Sequence, residues 1–253
     1  MTVSLKKDER TDDLGRKGFR IIQHTGSFCF GIDAVLLAEF ADLSPQARTV
    51  DLGCGNGILP LLLKARDKGG HFTAVEIQPE LAKLARRNME LNGLSDEVDV
   101  LEADLRCASE YLGKNGFDAM VANPPYFKVG TGLLNPASVK AIARHEVACT
   151  LEDVLRESAA LLREGGSLFL VFRCWRMGEA LALLPGTGLK ARRLRIVHSF
   201  RGDSGELFLL EAKKGARDGL VVEAPCLIYE APGVFSEEVR KACGAGAEEE
   251  NGK

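Results

Sequence analysis

The sequence predicts an α/β fold of the doubly wound, Rossmann-like type, with a mostly parallel seven-stranded sheet and an antiparallel C-terminal hairpin strand. Short apolar runs typical of buried strands alternate with longer amphipathic segments typical of helices. The second of these strands runs into a glycine-rich turn, which is where ligand loops occur in such sheets. Near the C-terminus, a turn-rich stretch at 201–205 separates two further strands and predicts the hairpin.

The elements follow in order along the chain. Strands are predicted at 19–23, 49–52, 72–77, 98–104, 117–122, 167–172, 192–199 and 206–212, with short closing strands at 220–222 and 227–229. Helices are predicted at 34–40, 58–68, 79–92, 151–162 and 176–184. Asp33 precedes the first helix, where a simple N-cap is the alternative to any functional role. We expect a flexible N-terminus over 1–18, a single domain over 19–235 and a disordered acidic tail over 236–253.

Composition narrows the class of protein. The 253 residues are 45% hydrophobic and 27% charged, which suits a globular α/β domain. Because no run approaches the roughly 18 apolar residues of a membrane span, and the N-terminus lacks the apolar core of a signal peptide, we expect a cytoplasmic protein. The seven cysteines include no Cys-x-x-Cys pair, and the four histidines have no ligand spacing. We therefore expect reduced thiols and no metal.

Charge is unevenly distributed. The net charge of −3 argues against a nucleic-acid partner, yet the stretch 186–217 holds eight Lys or Arg residues against three acids. Arg192, Arg193 and Arg195 form its centre, and such a stretch is a candidate contact for phosphates. The alternative is a solvated strand and loop with no partner.

The glycine-rich turn has the form Asp51-x-Gly53-x-Gly55-x-Gly57 and joins a strand to a helix. Glycines there let backbone N–H groups approach a ligand closely. The next strand ends in Glu76, which is placed to accept hydrogen bonds from the two hydroxyls of a ribose. Asp104 ends the following strand and is a candidate acceptor for an adenine amino group, or else a simple strand-end cap.

The stretch Asn123-Pro124-Pro125-Tyr126 follows the strand at 117–122. Consecutive prolines fix two φ angles and favour an extended conformation at the asparagine before them. One amide side chain, backbone carbonyls and a ring are thereby presented together, which suits a flat group bearing an amine. The alternative is that the prolines only end a strand.

Together, the glycine turn, Glu76 and Asn123-Pro-Pro-Tyr126 resemble the class I S-adenosylmethionine-dependent methyltransferases that act on amino groups. The segments 30–37, 141–146 and 149–153 narrow the resemblance to the tRNA adenine-N6 methyltransferases acting on position 37 of valine tRNA. Some copies of that family have Gly-Thr-Asp where this chain has Gly31-Ile32-Asp33, so a threonine contact to the cofactor is absent here.

The resemblance implies a set of site residues and a monomeric enzyme with tRNA as its partner. The cofactor contacts it implies are Asp33, Asp51, Gly53, Gly55, Asn56, Gly57, Glu76, Ile77, Asp104, Leu105 and Asn123. Catalysis is expected from Asn123, Pro124 and Tyr126. Substrate contacts are expected from Pro125, Tyr126, Phe127, Arg144, His145, Arg192, Arg193 and Arg195.

Two other functions fit parts of the pattern. Enzymes that methylate a glutamine of release factors share Asn-Pro-Pro-Tyr, although they carry a helical domain before the glycine turn for which this chain has little room. A non-catalytic RNA-binding protein with a vestigial cofactor pocket is the other alternative. The intact Asn123 and Tyr126 argue against it, because a binder has no use for an amine-orienting acceptor.

Overall fold

A computed structural model describes residues 4–25, 31–124 and 149–244 of the chain. The strands are β1 (Glu9–Asp13), β2 (Arg20–His24), β3 (Thr49–Leu52), β4 (Phe72–Glu76), β5 (Val98–Glu102), β6 (Phe117–Ala122), β7 (Leu162–Arg173), β8 (Leu189–His198), β9 (Gly205–Lys214), β10 (Val221–Val222), β11 (Cys226–Leu227), β12 (Tyr229–Ala231) and β13 (Val234–Phe235). The helices are α1 (Ile32–Phe40), α2 (Ile58–Lys64), α3 (Pro79–Leu91), α4 (Ala108–Leu112), α5 (Leu151–Leu161), α6 (Met177–Thr187) and α7 (Glu237–Ala242), with 3-10 turns at Leu105–Cys107 and Cys174–Arg176.

The central sheet confirms the predicted fold class. Its order is β10-β8-β9-β7-β6-β3-β4-β5, and β11 also pairs with β8. Strands β5, β4, β3, β6 and β7 run parallel, whereas β9 lies antiparallel between β7 and β8. The seven long strands are those expected from the sequence, and the two-residue strands β10 and β11 extend the outer edge of β8 to give nine.

Both faces of the sheet are covered, because alternate residues of each strand point to opposite sides. Ala119 and Val121 of β6 pack in a core with α1, α2, α3 and α7. Met120 and Ala122 of the same strand pack in a second core with α4, α5 and α6. Strands β3 and β6 are thus buried in the middle of the sheet, and their carboxyl ends meet at one edge.

The expected flexible N-terminus is wrong for residues 9–13. They form β1, which pairs antiparallel with β2 in a separate two-stranded sheet beside α3. Arg87 of α3 donates to both carboxylate oxygens of Glu9 at 2.6 and 2.7 Å. This hydrogen-bonded pairing lowers the pKa of buried Glu9 to about 2. The sequence pattern did not predict this strand because its residues are polar, and an ion pair holds it in place.

The expected disordered tail is wrong for residues 237–242. They form α7, which begins with the Ser236 hydroxyl accepting from the Val239 N–H at 3.3 Å. Val239 and Ala242 are buried in the core beside α1. Residues 245–253 lie outside the described residues.

Smaller differences concern the ends of elements. β7 begins at Leu162, five residues before the predicted start, because that residue pairs with Phe117 ahead of a register shift. α6 runs through Pro185 to Thr187, since a proline in the last turn removes few helical hydrogen bonds. Among the described residues, no helix is long and apolar enough to cross a membrane.

Candidate active site

The glycine turn and the acids that follow the strands meet at the carboxyl edge of the sheet. β3 lies between β6 and β4, so the turn after β3 has Asn123 on one side and Glu76 on the other. Because the carboxyl ends of parallel strands share one edge of the sheet, residues that are far apart in sequence lie side by side there.

The glycine turn has a backbone conformation that residues with side chains rarely adopt. Gly55 has a φ of 57° and Gly57 a φ of 83°, both in the left-handed region. A Cβ added at Gly57 would lie 2.7 Å from the Met89 side chain, whereas one at Gly55 would meet open space. Gly57 therefore permits packing against α3, and Gly55 leaves a bare backbone surface facing outwards.

Glu76 fastens this turn to the loop after β4. Its carboxylate accepts from the Gly55 N–H at 2.9 Å and from the Gln78 N–H at 2.8 Å, and the residue is buried. A carboxylate oxygen can accept more than one hydrogen bond, so both oxygens of Glu76 retain capacity for a hydroxyl donor. Glu76 is therefore placed both to shape the turn and to receive a ribose.

Asp51 lies at the end of β3, behind the turn, and is fully buried. Neither of its carboxylate oxygens has a hydrogen-bond partner within the part of the chain that the structure describes. Burial, reinforced by the negative charge of Glu76, raises the pKa of Asp51 well above its usual range. A buried carboxyl without a partner is costly, and a cationic donor at this point would remove that cost.

Asn88 was not predicted as a site residue, although it holds the turn in place. Its Nδ2 donates to the Asn56 carbonyl at 2.9 Å, and its Oδ1 accepts from the Ile22 N–H at 2.7 Å. Asn88 is fully buried on α3. The sequence signal for it is its position on the otherwise apolar face of that helix, next to Met89 and one turn after Leu84 and Ala85.

Asp104 has the local role that the sequence left open as an alternative. Its carboxylate caps the 3-10 turn by accepting from the Arg106 N–H at 2.9 Å, and it also pairs with the Arg106 guanidinium. That pairing lowers the pKa of Asp104. The contact of Asp104 with an adenine stays a prediction. Leu105 packs 3.8 Å from the Cβ position of Gly53, and Ile77 is exposed directly after Glu76.

Asn123 lies half-buried directly after β6, and Asp33 contacts it. The Asn123 Nδ2 donates to the Asp33 Oδ2 at 3.1 Å, while the Asp33 Oδ1 accepts from the Ala34 N–H at 2.9 Å. Asp33 is not the N-cap of α1, because the helix begins at Ile32 and its cap position is Gly31. Only the NH₂ end of an amide donates to a carboxylate, so Asp33 determines which end of Asn123 is directed elsewhere.

The remaining motif residues divide between the described and undescribed parts of the chain. Pro124 is buried after β6. Pro125, Tyr126, Phe127, Arg144 and His145 lie outside the described residues, and their expected contacts stay predictions.

The three arginines of β8 lie in the same sheet as the site but not beside it, since β9 and β7 separate β8 from β6. Arg193 pairs with Glu223 at 2.6 Å and Glu211 at 3.2 Å, and Arg195 forms a bidentate pair with Glu238 at 2.5 and 2.9 Å. Arg192 donates to the Arg217 carbonyl at 3.0 Å. Their tRNA contact stays a prediction, and the acids already pairing with Arg193 and Arg195 weaken the argument from local charge.

A model of the methyltransferase small domain family matches residues 18–181, which is more than half of the chain. The chain belongs to this family. Membership makes the protein a methyltransferase that uses S-adenosylmethionine as its methyl donor.

Curated relatives support the narrower resemblance. The chain is 32% identical over 238 residues to a protein of Porphyromonas gingivalis named tRNA1(Val) (adenine(37)-N6)-methyltransferase, covering 90% of this chain and 92% of that one. It is 26% identical over 219 residues to a protein of the same name from Dyadobacter fermentans, covering 86% and 89%. The resemblance stated from the motifs is thereby confirmed.

Among solved structures, a protein of Agrobacterium tumefaciens described as a predicted O-methyltransferase superposes with a TM-score of 0.67 at 28% identity. The match covers 84% of this chain and 96% of that one. TrmN from Thermus thermophilus has a TM-score of 0.51 at 26% identity, covering 72% of this chain and 48% of that one. Both neighbours are consistent with the Rossmann-like methyltransferase fold of this chain.

The residues at the carboxyl edge fit this methyl donor. The open backbone at Gly55 leaves room for a close ligand, and the carboxyl of Asp51, which has no partner among the described residues, suits the cationic amino group of the methionine moiety. Glu76 retains acceptor capacity for a ribose. No group of three or more His, Cys, Asp or Glu side chains that would hold a metal ion occurs within 4–25, 31–124 and 149–244.

Proposed function

We propose that this protein methylates N6 of an adenine in tRNA, with position 37 of valine tRNA as its target. The observation that carries the proposal is the hydrogen bond from Asn123 to Asp33, next to the glycine turn and Glu76. It directs the acceptor oxygen of an amide away from Asp33 at the edge where the methyl donor binds. The shared name of the curated relatives supplies the substrate.

S-adenosylmethionine supplies a methyl group that is already activated on a sulfonium. The protein therefore has to align the acceptor nitrogen and orient its lone pair. An adenine amino group is a poor nucleophile because its lone pair is delocalised into the ring. The Asn123 Oδ1 and the Pro124 carbonyl accept its two N–H bonds and favour a more tetrahedral nitrogen. Tyr126 stacks on the base, and an anticodon-loop base is easier to extract than a base in a duplex.

This mechanism needs neither a strong general base nor a metal ion. We further propose that the enzyme acts as a monomer in the cytoplasm, with tRNA as its partner. The phosphate contacts of the tRNA are assigned to Arg192 and to the undescribed Arg144 and His145. Arg193 and Arg195 contribute only where RNA competes with the acids that pair with them.

The test is transfer of a radiolabelled methyl group to purified RNA. We expect incorporation into a valine tRNA transcript with adenine at position 37, recovered as N6-methyladenosine after digestion. The matched control is the same transcript with guanine at position 37, which should remain unlabelled. A release-factor peptide containing a glutamine acceptor tests the alternative substrate. Labelling of the peptide and not of the tRNA would contradict the proposal.

A further inference from the structure

Trp175 is the only tryptophan of the chain, and 60% of it is exposed. Tryptophan is highly buried on average because its large apolar surface is costly to leave in water. Neither the core nor the proposed chemistry uses this side chain. Its exposure therefore suggests a ligand, and its place in the fold indicates which one.

Trp175 lies in the 3-10 turn Cys174–Arg176, directly after β7. β7 pairs parallel with β6, so this turn and Asn123 leave the same edge of the sheet on neighbouring strands, which are about 4.8 Å apart. The glycine turn follows β3, on the opposite side of β6. Asn123 thus stands between the methyl donor and the strand that carries Trp175. A ligand at Trp175 therefore lies on the side of Asn123 that faces away from the glycine turn.

The turn that carries the indole is firmly held. Arg176 is buried, and its guanidinium lies 4.7 Å from the Phe172 ring centroid and 5.7 Å from that of Trp175. Glu179 accepts from the same guanidinium at 2.9 and 3.0 Å. On the other side, Cys174 packs so closely on Gly205 that an added Cβ there would lie 3.0 Å from the thiol. Trp175 is an exposed ring on a rigid support.

We propose that Trp175 stacks on an unpaired RNA base next to the adenine that is methylated. This inference rests on the proposed function. A flat aromatic surface backed by a guanidinium binds bases of any sequence through their π-faces, and single-stranded loops are the parts of RNA whose bases are free to stack. The exposed Arg201 lies in the turn between β8 and β9. This turn leads into Gly205, which lies against Cys174, so Arg201 supplies positive charge for the adjoining phosphate.

Because the chain has one tryptophan, its fluorescence reports on this contact directly. We expect an unmodified anticodon stem-loop of valine tRNA to quench the emission of the wild-type protein on titration. A fully paired RNA duplex of equal absorbance is the control and should quench far less. Emission that is unchanged by the stem-loop would overturn the inference.

The energetic test compares Trp175→Ala and Trp175→Phe with the wild type. One lost base stack should raise the KM for tRNA by about 5- to 100-fold in the alanine variant, with kcat changed much less. The phenylalanine variant should recover most of the loss. Leu5→Ala is the matched control, because Leu5 is 48% exposed, precedes β1 in the separate two-stranded sheet and lies away from the arginines of β8, so it should leave KM unchanged.

The outcomes separate this inference from the proposed function. If the wild type methylates the tRNA but Trp175→Ala keeps the wild-type KM, the stacking role is wrong and the function stands. Quenching without any change in KM contradicts the role as well. If the wild type transfers no methyl group to tRNA, the proposed function itself is wrong. A Trp175→Ala protein that self-associates differently and binds RNA normally would assign the indole to a protein contact.

Discussion

The carboxyl edge of the sheet has two halves that are built differently. The cofactor half, at the ends of β3, β4 and β5, combines contacts between residues close in sequence, such as Asp104 with Arg106 and Glu76 with Gln78, with a few longer ones, such as Glu76 with Gly55. The target half, at the ends of β6, β7 and β8, depends on distant partners, because Asn123 contacts Asp33 and Arg195 contacts Glu238. Local turns therefore shape much of the cofactor half, whereas the contacts named for the target half form only when distant elements fold together.

Replacing Asn123 tests whether the two halves are separable, and it should have the largest effect on methyl transfer. Asn123→Ala removes the acceptor for the amine, so we expect kcat to fall by about 10²- to 10³-fold. Binding of S-adenosylmethionine, measured by calorimetry, should be retained because the glycine turn and Glu76 are untouched. Unchanged turnover in this variant would remove the basis of the mechanism.

Replacing Asp33 tests whether the target half depends on this distant partner of Asn123. Asp33→Ala removes the carboxylate that accepts from the Asn123 Nδ2, and loss of one hydrogen bond to a charged group should lower kcat by about 10- to 100-fold. Asp33→Asn keeps an acceptor for the Asn123 Nδ2 and should recover much of that loss. A weakened affinity for S-adenosylmethionine with normal kcat would instead return Asp33 to the cofactor contacts expected from the sequence.

Asn88 tests a long-range support of the cofactor half, the hydrogen bond from its Nδ2 to the Asn56 carbonyl. Asn88→Ala leaves the carbonyl of Asn56 and the N–H of Ile22 without a partner, so we expect a few-fold weaker affinity for S-adenosylmethionine. The free energy of unfolding should fall by about 1–3 kcal/mol. Asn92→Ala is the matched control, since Asn92 makes the same pair of bonds to Arg20 at 2.8 and 2.7 Å without touching the glycine turn. Equal losses of affinity in both variants would show that Asn88 has no specific role.

Glu9 lies outside both halves and should not affect methyl transfer at neutral pH. Because pairing with Arg87 lowers the pKa of Glu9 to about 2, the pair stabilises the folded protein above the unfolded pKa near 4.5 and loses that effect as the pH falls towards 2. Glu9→Gln should therefore reduce stability at pH 7 and flatten its decline between these values, as followed by denaturant unfolding. A wild-type pH profile in the variant would contradict the role of the pair.

The sequence predicted the parts of the molecule that depend on local pattern. β3, β4 and β6 have the predicted starts, and the residues of the glycine turn and Glu76 lie together as expected. β1 and α7 were missed because each is a polar segment fixed by a few tertiary contacts, namely the Arg87 pair and the burial of Val239. The pairing of Arg193 and Arg195 with acids could not be read from a local count of charges either, since Glu238 lies 43 residues from Arg195.

Asp51 offers a test of whether the methyl donor binds beside it. Its buried carboxyl holds a proton more readily than an ordinary aspartate, and a cationic group arriving beside it favours the ionised form. Loading the methyl donor should therefore expel up to about one proton into the buffer at pH values between the pKa of the free and the loaded states. The heat of binding would then depend on the ionisation enthalpy of the buffer, and in Asp51→Asn that dependence should vanish. The free enzyme and the enzyme with bound methyl donor would therefore differ in the number of protons they bind.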